Sequence, residues 1–193
     1  CDDNEIRAAL SPADVPKRKA AQPIAKVSKL LEARKVVARF DGGMEWGPRA
    51  LGNRTLLVRA DDPAVNDSLN ASLGRSEFMP FAPVTLWEAR ERCYHGLAGA
   101  AHTAEFMTIT FDCTDWMKEH CPAAVHVDGT ARPQLIRSEV NPEYYAIEAE
   151  YEKLSGKKVD EEMKLGVLEA KLAPDSLKEH LATQGERYTE YML

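Results

Sequence analysis

The chain has 193 residues, of which 44% are hydrophobic and 29% are charged, as is typical of one globular domain with a sizeable core. Its net charge of -6 argues against a basic nucleic-acid-binding surface, so we expect neither DNA nor RNA as a partner. The sequence has no long apolar run, and its four cysteines have neither CxxC nor zinc-ligand spacing, so we expect a cytoplasmic protein without membrane contact.

Residues 1–22 are predicted to form an N-terminal helix and a linker. The helix covers Asp2 to Leu10, and the linker contains the two prolines of Ser11 to Pro16. A second helix is predicted to start at Pro23, because proline is favoured at the first helical position. Its apolar residues recur at helical spacing and form one face that packs on a sheet: Ile24, Val27, Leu30 and Leu31.

A glycine-rich polar loop, Asp41 to Arg54, lies between two predicted strands, Lys35 to Phe40 and Thr55 to Arg59. Glycine allows close backbone approach, so the loop could present N–H groups together with Arg49 and Arg54 to an anion. The alternative is a tight structural connection with solvated arginines. The loop lacks the Lys-Ser/Thr ending of a P-loop, so an anion cradle here would depend on arginine.

The middle of the chain predicts alternating helices and strands. The predicted helices are one that begins after Asp61-Asp62-Pro63 and ends at Gly74, one from Trp87 to Tyr94, and one from Thr114 or Asp115 to His120. The predicted strands are Val84 to Leu86, Phe106 to Phe111 and Ala123 to Val127.

The last part of the chain predicts three helices. The first begins at Asn141-Pro142, ends at Gly156 and has one apolar face of Tyr144, Ile147, Tyr151 and Leu154. Two charged amphipathic helices, Val159 to Leu172 and Asp175 to Gln184, follow on either side of Pro174. We therefore expect residues 157–193 to form a separate helical tail.

His126 and Asp128 would point to the same face of the predicted strand, where they could polarise a substrate. They are too few to predict a metal site. The alternative is a structural His126 whose hydrogen bonds are satisfied within the fold. Asn53, Thr130 and Gln134 could orient a ligand, although nothing local requires it.

Three motifs in this order resemble the O-carbamoyltransferase family, which includes the NodU-type nodulation enzymes and enzymes that carbamoylate antibiotics. They are EWGPRALGNRTLL at Glu45 to Leu57, LNASLGRSEFMPFAPVTL at Leu69 to Leu86, and HVDGTARPQLI at His126 to Ile136. The resemblance is to the family's C-terminal YrdC-like domain. It implies an α/β fold, a twisted mixed sheet with packed helices, over residues 23–156.

The resemblance also implies a reaction. Such a domain uses ATP, with Mg²⁺, and carbamoyl phosphate to form carbamoyladenylate, and a separate N-terminal metal-binding domain passes the carbamoyl group to a hydroxylated small-molecule acceptor. It implies catalytic roles for Arg49 and Arg132, which would bind the phosphates. The implied substrate-binding residues are Asn53, Arg54, Arg75, His126, Asp128 and Thr130. For His126 and Asp128 the resemblance favours a substrate-lining or turn-forming role, in which Asp128 accepts hydrogen bonds from the N–H groups of Gly129 and Thr130.

The sequence departs from the family pattern at three places. Leu73 and Met79 stand where the family commonly has basic residues that help to hold the substrates. The Asn-Thr-Ser-Phe-Asn motif that normally follows the helix ending near Gly156, after one further strand, has no counterpart here, and the tail takes its place. These departures favour an alternative function, a non-catalytic nucleotide-binding or partner-docking module.

Overall fold

The structure, a computed structural model, describes residues 20–74, 80–154 and 165–169. Its strands are β1 (Val37–Phe40), β2 (Arg54–Arg59), β3 (Ala82–Leu86), β4 (Phe111–Asp112), β5 (Thr130–Ala131), β6 (Gln134–Ile136) and β7 (Leu165–Glu169). Five of them form a sheet in the order β1-β2-β7-β3-β6, and β4 pairs with β5. In the larger sheet only β3 and β6 are parallel neighbours. The predicted α/β class with a mixed sheet is confirmed.

The helices are α1 (Pro23–Glu32), α2 (Ala64–Ser72), α3 (Arg90–Cys93), α4 (Ala101–Ala104), α5 (Asp115–His120) and α6 (Pro142–Leu154), with 3₁₀ turns at Trp87–Ala89 and Pro122–Ala124. Pro23 and Pro142 occupy first helical positions, where the missing N–H costs nothing. Among the described helices, none combines the length and the apolar character needed to cross a membrane.

Helices α1 and α6 pack on one face of the sheet. Leu57 of β2 lies in the same core cluster as Leu31 of α1 and Tyr144 of α6, and all three side chains are fully buried. Ser28 joins the two helices, because its hydroxyl donates to the carbonyl of Ile147 at 3.0 Å. The apolar faces predicted for α1 and α6 are therefore confirmed, and Leu154, at 37% exposed, lies at the margin of the second.

The other face of β2 packs against α2. Val58, the residue after Leu57, clusters with Leu69 of α2 and Phe81, as expected when successive strand residues point to opposite faces. Leu73, one of the positions that depart from the family pattern, packs against the same cluster. Its side chain therefore contributes to the core.

A second core lies under the small β4-β5 sheet and contains Cys93, Cys113 and Cys121, all buried and all free thiols. Burial raises the pKa of Cys113 to about 12, because a thiolate is poorly stabilised away from water. These cysteines are structural residues of the core.

The Thr114 hydroxyl, which accepts from the Met117 N–H at 3.2 Å, caps α5 at its predicted start.

Two predicted strands are wrong for most of their length. Within Phe106 to Phe111, only Phe111 is in a strand, and Met107 has a positive φ of 53° and a fully buried side chain. Within Ala123 to Val127, the first two residues end the 3₁₀ turn and the others are irregular. The alternation of apolar and polar residues arose here from turns that bury individual side chains.

The helix predicted over Val159 to Leu172 is wrong at Leu165–Glu169, which form β7. This strand pairs with β2 on one side and β3 on the other, so it is an interior strand of the sheet. Hydrogen bonding to two neighbours outweighs the local helical pattern. The segment after α6 thus supplies a strand to the sheet. The predicted helix over residues 2–10 and the rest of the tail lie outside the described residues.

Candidate functional site

Three strands of the sheet begin at the same edge. β2 and β3 are both antiparallel to β7, and β6 is parallel to β3, so β2, β3 and β6 all run in one direction. Because β1 is antiparallel to β2, it ends at the edge where they begin. This edge carries the glycine-rich loop of residues 41–53, Pro80 and Phe81 before β3, and Arg132 before β6. The three sequence motifs therefore meet there.

A direct contact joins the first and third motifs. The side-chain Nε2 of Gln134, the first residue of β6, donates to the Leu51 carbonyl of the loop at 2.7 Å. Arg49 and Asn53 lie in the loop, Arg54 is the first residue of β2, and Arg132 lies two residues before β6. Arg75 lies outside the described residues.

The interior of the loop is organised by Glu45. One oxygen of this carboxylate, Oε1, accepts from the backbone N–H groups of Leu51 at 3.1 Å, Asn53 at 2.6 Å and Arg54 at 3.0 Å. The remaining N–H of this turn, that of Gly52, donates to Thr55 Oγ1 at 3.0 Å. The N–H groups of residues 51–54, which belong to the loop considered for an external anion, are thus already paired with the protein's own side chains.

The carbonyl groups of the loop are held by Arg54. Its guanidinium donates to the carbonyls of Asp41 at 2.5 Å and Gly42 at 3.2 Å, and its carbon lies 3.9 Å from the ring centroid of Phe40. Asn53 adds a bond from Nδ2 to the Gly43 carbonyl at 2.9 Å. The structure therefore gives Arg54 and Asn53 contacts that stabilise the loop itself.

Arg39 links the loop to α6. Its side chain is only 8% exposed, and it donates to the Gly52 carbonyl at 2.5 Å and to the Asp41 carboxylate. The Glu143 carboxylate, in the first turn of α6, lies 3.6 Å from the same guanidinium. A hydrogen bond with Asp41 and the negative charge of Asp41 raise the pKa of Glu143 above its ordinary value of 4.5.

The amino end of α6 closes the other side of the loop. Asn141 donates from Nδ2 to the Asn53 side-chain oxygen at 3.0 Å and accepts the N–H of Tyr144 at 3.2 Å, so it caps the helix and contacts the loop together. The Tyr144 ring packs directly on Gly52, whose φ is +113°. A side chain at Gly52 would collide with this ring.

The tip of the loop is the part left open. Trp46 is 99% exposed and Met44 is 87% exposed, whereas Arg49 is half-buried beside Ala50, which is buried. The tip is therefore the part of the loop that is exposed for a ligand or another protein surface.

His126, Asp128 and Thr130 form a compact turn. The His126 N–H donates to the Thr130 carbonyl at 2.7 Å, and Asp128 Oδ1 accepts from the Thr130 N–H at 3.0 Å and the Thr130 hydroxyl at 2.8 Å. The expected bond from Thr130 to Asp128 is confirmed. The predicted hydrogen bond from Gly129 to Asp128 is wrong, because the Gly129 N–H donates to the His126 carbonyl at 2.9 Å.

This turn also sets the charges near Arg132. The two bonds from Thr130 lower the pKa of Asp128 below its ordinary value of 3.8. Burial lowers the pKa of His126 from 6.5, nearby Asp128 opposes this, and Arg132 adds to it. At neutral pH this end of the site therefore contains neutral His126, ionised Asp128 and the Arg132 cation. The hydrogen bonds show Asp128 and Thr130 in the turn-forming role.

The sequence did not reveal the roles of four residues that build the site. Arg39 and Glu45 were not predicted to contribute, and Gln134 and Asn141 were not predicted to contact the loop. Glu45 has a signal in retrospect, a carboxylate that stands shortly before a turn containing Gly52. In the part of the chain that the structure covers, no three His, Cys, Asp or Glu side chains are placed to hold a metal ion.

Comparison with known proteins gives this edge a context. The family model described as the carbamoyltransferase C-terminus matches residues 28–159. Nodulation protein U of Rhizobium tropici is 33% identical over 150 residues, which are 77% of this chain and 25% of that protein. The 3'-hydroxymethylcephem-O-carbamoyltransferase of Streptomyces clavuligerus is 36% identical over 123 residues, 64% of this chain and 22% of that protein.

An uncharacterized protein of Methanocaldococcus jannaschii is 37% identical over 122 residues, 63% of this chain and 19% of that protein. The chain thus spans about a fifth to a quarter of the length of these relatives. The family match covers more than half of the chain and contains the glycine-rich loop, β6 and most of the sheet. This chain therefore belongs to the carbamoyltransferase C-terminal family.

Proposed function

We propose that this chain is the adenylate-forming, YrdC-like part of a carbamoyltransferase, and that it makes carbamoyladenylate from ATP and carbamoyl phosphate. The observation that carries the proposal is the convergence of the three family motifs on one sheet edge, where Gln134 of the third motif bonds to Leu51 of the first.

Arg49 and Arg132 are proposed to bind the phosphates. ATP and carbamoyl phosphate are both anionic, so bringing them together requires positive charge that does not titrate, and guanidinium meets this need with bidentate geometry. Arg54 is proposed to act indirectly, because its donors hold the carbonyls of Asp41 and Gly42. This changes the substrate-binding role that the resemblance implied for Arg54.

The proposed reaction has two steps. Water cleaves carbamoyl phosphate to carbamate and inorganic phosphate. A carbamate oxygen then attacks the α-phosphorus of ATP, and the bond to the β-phosphate breaks to release pyrophosphate. The two arginines would hold the reacting groups together and stabilise the negative charge on the phosphoryl oxygens, so the rate would come from proximity and preorganised charge.

Mg²⁺ is proposed to enter with ATP as part of the substrate. The described residues offer no cluster of carboxylates suited to a resident ion, and Mg²⁺ bound with nucleotides takes many of its ligands from phosphates and water. Transfer of the carbamoyl group to a hydroxylated acceptor would take place in an N-terminal metal-binding domain, since the relatives are much longer than this chain.

The test is to incubate the chain with ATP, magnesium and carbamoyl phosphate, to follow pyrophosphate release and to identify carbamoyladenylate by mass spectrometry. We expect product only when both substrates are present. A hydrogen bond to a charged group contributes about 1.5–3 kcal/mol, so Arg49→Ala and Arg132→Ala should each reduce the rate by about tenfold or more.

Arg34→Ala is the matched control, because Arg34 precedes β1 at the opposite edge of the sheet and pairs with Asp61 at 3.1 Å. It should leave the rate unchanged. Full activity in both Arg49→Ala and Arg132→Ala would refute the assigned roles, and absence of product from the unmodified chain would refute adenylate formation.

One observation favours a second candidate, a nucleotide-binding or partner-docking module without turnover. Leu73 packs into the core beside Val58 and Phe81, so this position supplies no cation to the site. Under this alternative the chain would bind ATP in a calorimetric titration and release no pyrophosphate.

A further inference from the structure

The glycine-rich loop has its own internal anion. Glu45 is half-buried, and its Oε1 is the common acceptor for three N–H groups within four consecutive residues, those of Leu51, Asn53 and Arg54. Hydrogen bonds to an ionised acceptor are about twice as strong as neutral ones. This one oxygen therefore fixes the backbone between residues 51 and 54.

The same carboxylate oxygen is unsuited to chemistry on a substrate. An oxygen that already accepts three N–H bonds offers little capacity for a proton or a metal ion. An incoming phosphate could use these N–H groups only by displacing Glu45. Phosphates would therefore be held by side chains such as Arg49, rather than by the backbone as in a P-loop.

The outer side of the loop is held in a complementary way. Arg54 donates to the carbonyls of Asp41 and Gly42, and Arg39 donates to that of Gly52. N–H groups thus converge on a carboxylate inside the loop, and carbonyls converge on guanidinium groups outside it. The N–H groups of residues 51–54 and the carbonyls of Asp41, Gly42 and Gly52 are paired before any ligand binds, and such prior pairing preorganises this part of the loop.

We propose that Glu45 is a positioning residue that holds the turn from Arg49 to Arg54 in its binding shape and does not itself touch the substrate. The expected effect of Glu45 on ATP binding rests on the proposed function. The expected effect of Glu45 on the conformation of the loop is independent of that function.

The first experiment examines the loop without substrate. Amide hydrogen exchange, followed by NMR, should show the N–H groups of Leu51, Asn53 and Arg54 protected in the unmodified chain, because Glu45 accepts all three. In Glu45→Ala these three amides should exchange with solvent about tenfold faster or more, and in Glu45→Gln, which keeps an accepting oxygen, the acceleration should be smaller. The Gly52 amide, which donates to Thr55, should change less than the other three.

The second experiment measures the affinity for Mg-ATP. Glu45→Ala should weaken binding by about tenfold, and Glu45→Gln, which keeps the accepting oxygen and loses the charge, should retain more of the affinity. Glu119→Gln is the control, since Glu119 is exposed on α5 and also loses one negative charge. If Glu45→Ala does not fold, Glu45→Gln alone carries both experiments.

Two results would overturn the proposal. One is unchanged amide exchange and unchanged affinity in Glu45→Gln and Glu45→Ala. The other is rapid exchange of the Leu51, Asn53 and Arg54 amides in the unmodified chain, because the hydrogen bonds to Glu45 would then not hold the turn. If the unmodified chain binds no ATP, the proposed function fails, and the amide experiment still decides the role of Glu45.

Discussion

The contact between Gly52 and the Tyr144 ring gives a quantitative prediction for Gly52→Ala. A Cβ atom at this position would lie 2.4 Å from Cδ1 and 2.6 Å from Cε1 of Tyr144, well inside van der Waals contact. The Tyr144 ring is fully buried in the core between the sheet and α6, so it has no room to move away. The loop or the helix would have to shift.

The expected decrease in the free energy of unfolding of Gly52→Ala has two contributions. Overpacking of a well-packed core costs about 1–3 kcal/mol, and a residue with a side chain at a φ of +113° costs about 1–2 kcal/mol more. Gly52→Ala should therefore lower the free energy of unfolding by about 2–5 kcal/mol. This is a large fraction of the stability of a typical domain.

Two other glycines of the same loop separate these parts. Gly47 also has a positive φ, +106°, but nothing lies within 4 Å of its Cβ position, so Gly47→Ala should show the backbone cost alone. Gly43 has neither a positive φ nor a neighbour within 4 Å, so Gly43→Ala should change stability by less than about 0.5 kcal/mol.

The measurement is urea unfolding of the chain and its three variants, followed by circular dichroism and tryptophan fluorescence. If Gly52→Ala destabilises the protein no more than Gly47→Ala, the packing of Tyr144 on the loop does not contribute as the structure indicates.

Further predictions concern charge and reactivity. Arg54→Ala should lower the thermal midpoint, because it removes the bonds to the Asp41 and Gly42 carbonyls, and an unchanged midpoint would contradict the stabilising role. Because the pKa of Glu143 is raised in the folded state, its contribution to stability is present at low pH and lost as pH rises above 4.5 through the folded pKa. Relative to the unmodified chain, Glu143→Gln should therefore gain stability over this window in urea titrations. Cys113, with a pKa of about 12, should react with iodoacetamide at pH 8 only after unfolding, as mass spectrometry would show.

The sequence predicted the local elements that carry their own signals. Pro23 and Pro142 marked helix starts, and the β-branched run before Phe40 marked β1, because these patterns depend on nearby residues alone. The Asp128 turn was also predictable from its side-chain chemistry. The α/β class with a mixed sheet was implied by the family resemblance.

The elements that failed depend on distant parts of the chain. Leu165–Glu169 becomes a strand only because β2 and β3 leave a position between them, and no local pattern reports that position. Met107 is buried in a turn by its neighbours in space. For the site, the arginines were visible as residue types, but the loop alone could not show that Arg54 would turn inward to its carbonyls.

The position of β7 has a consequence for how the chain folds. β7 lies beyond the residues matched by the family model, yet among the strands that the structure describes it alone joins the β1-β2 pair to the β3-β6 pair in the main sheet. Both of its partners come much earlier in the chain, so the sheet has high contact order and a large loop-closure cost. During synthesis the two strand pairs would emerge first with open inner edges, which are sites for aggregation. The five-stranded sheet can be completed only after residue 169 has been synthesised. We therefore expect this sheet to form late in the synthesis of the chain.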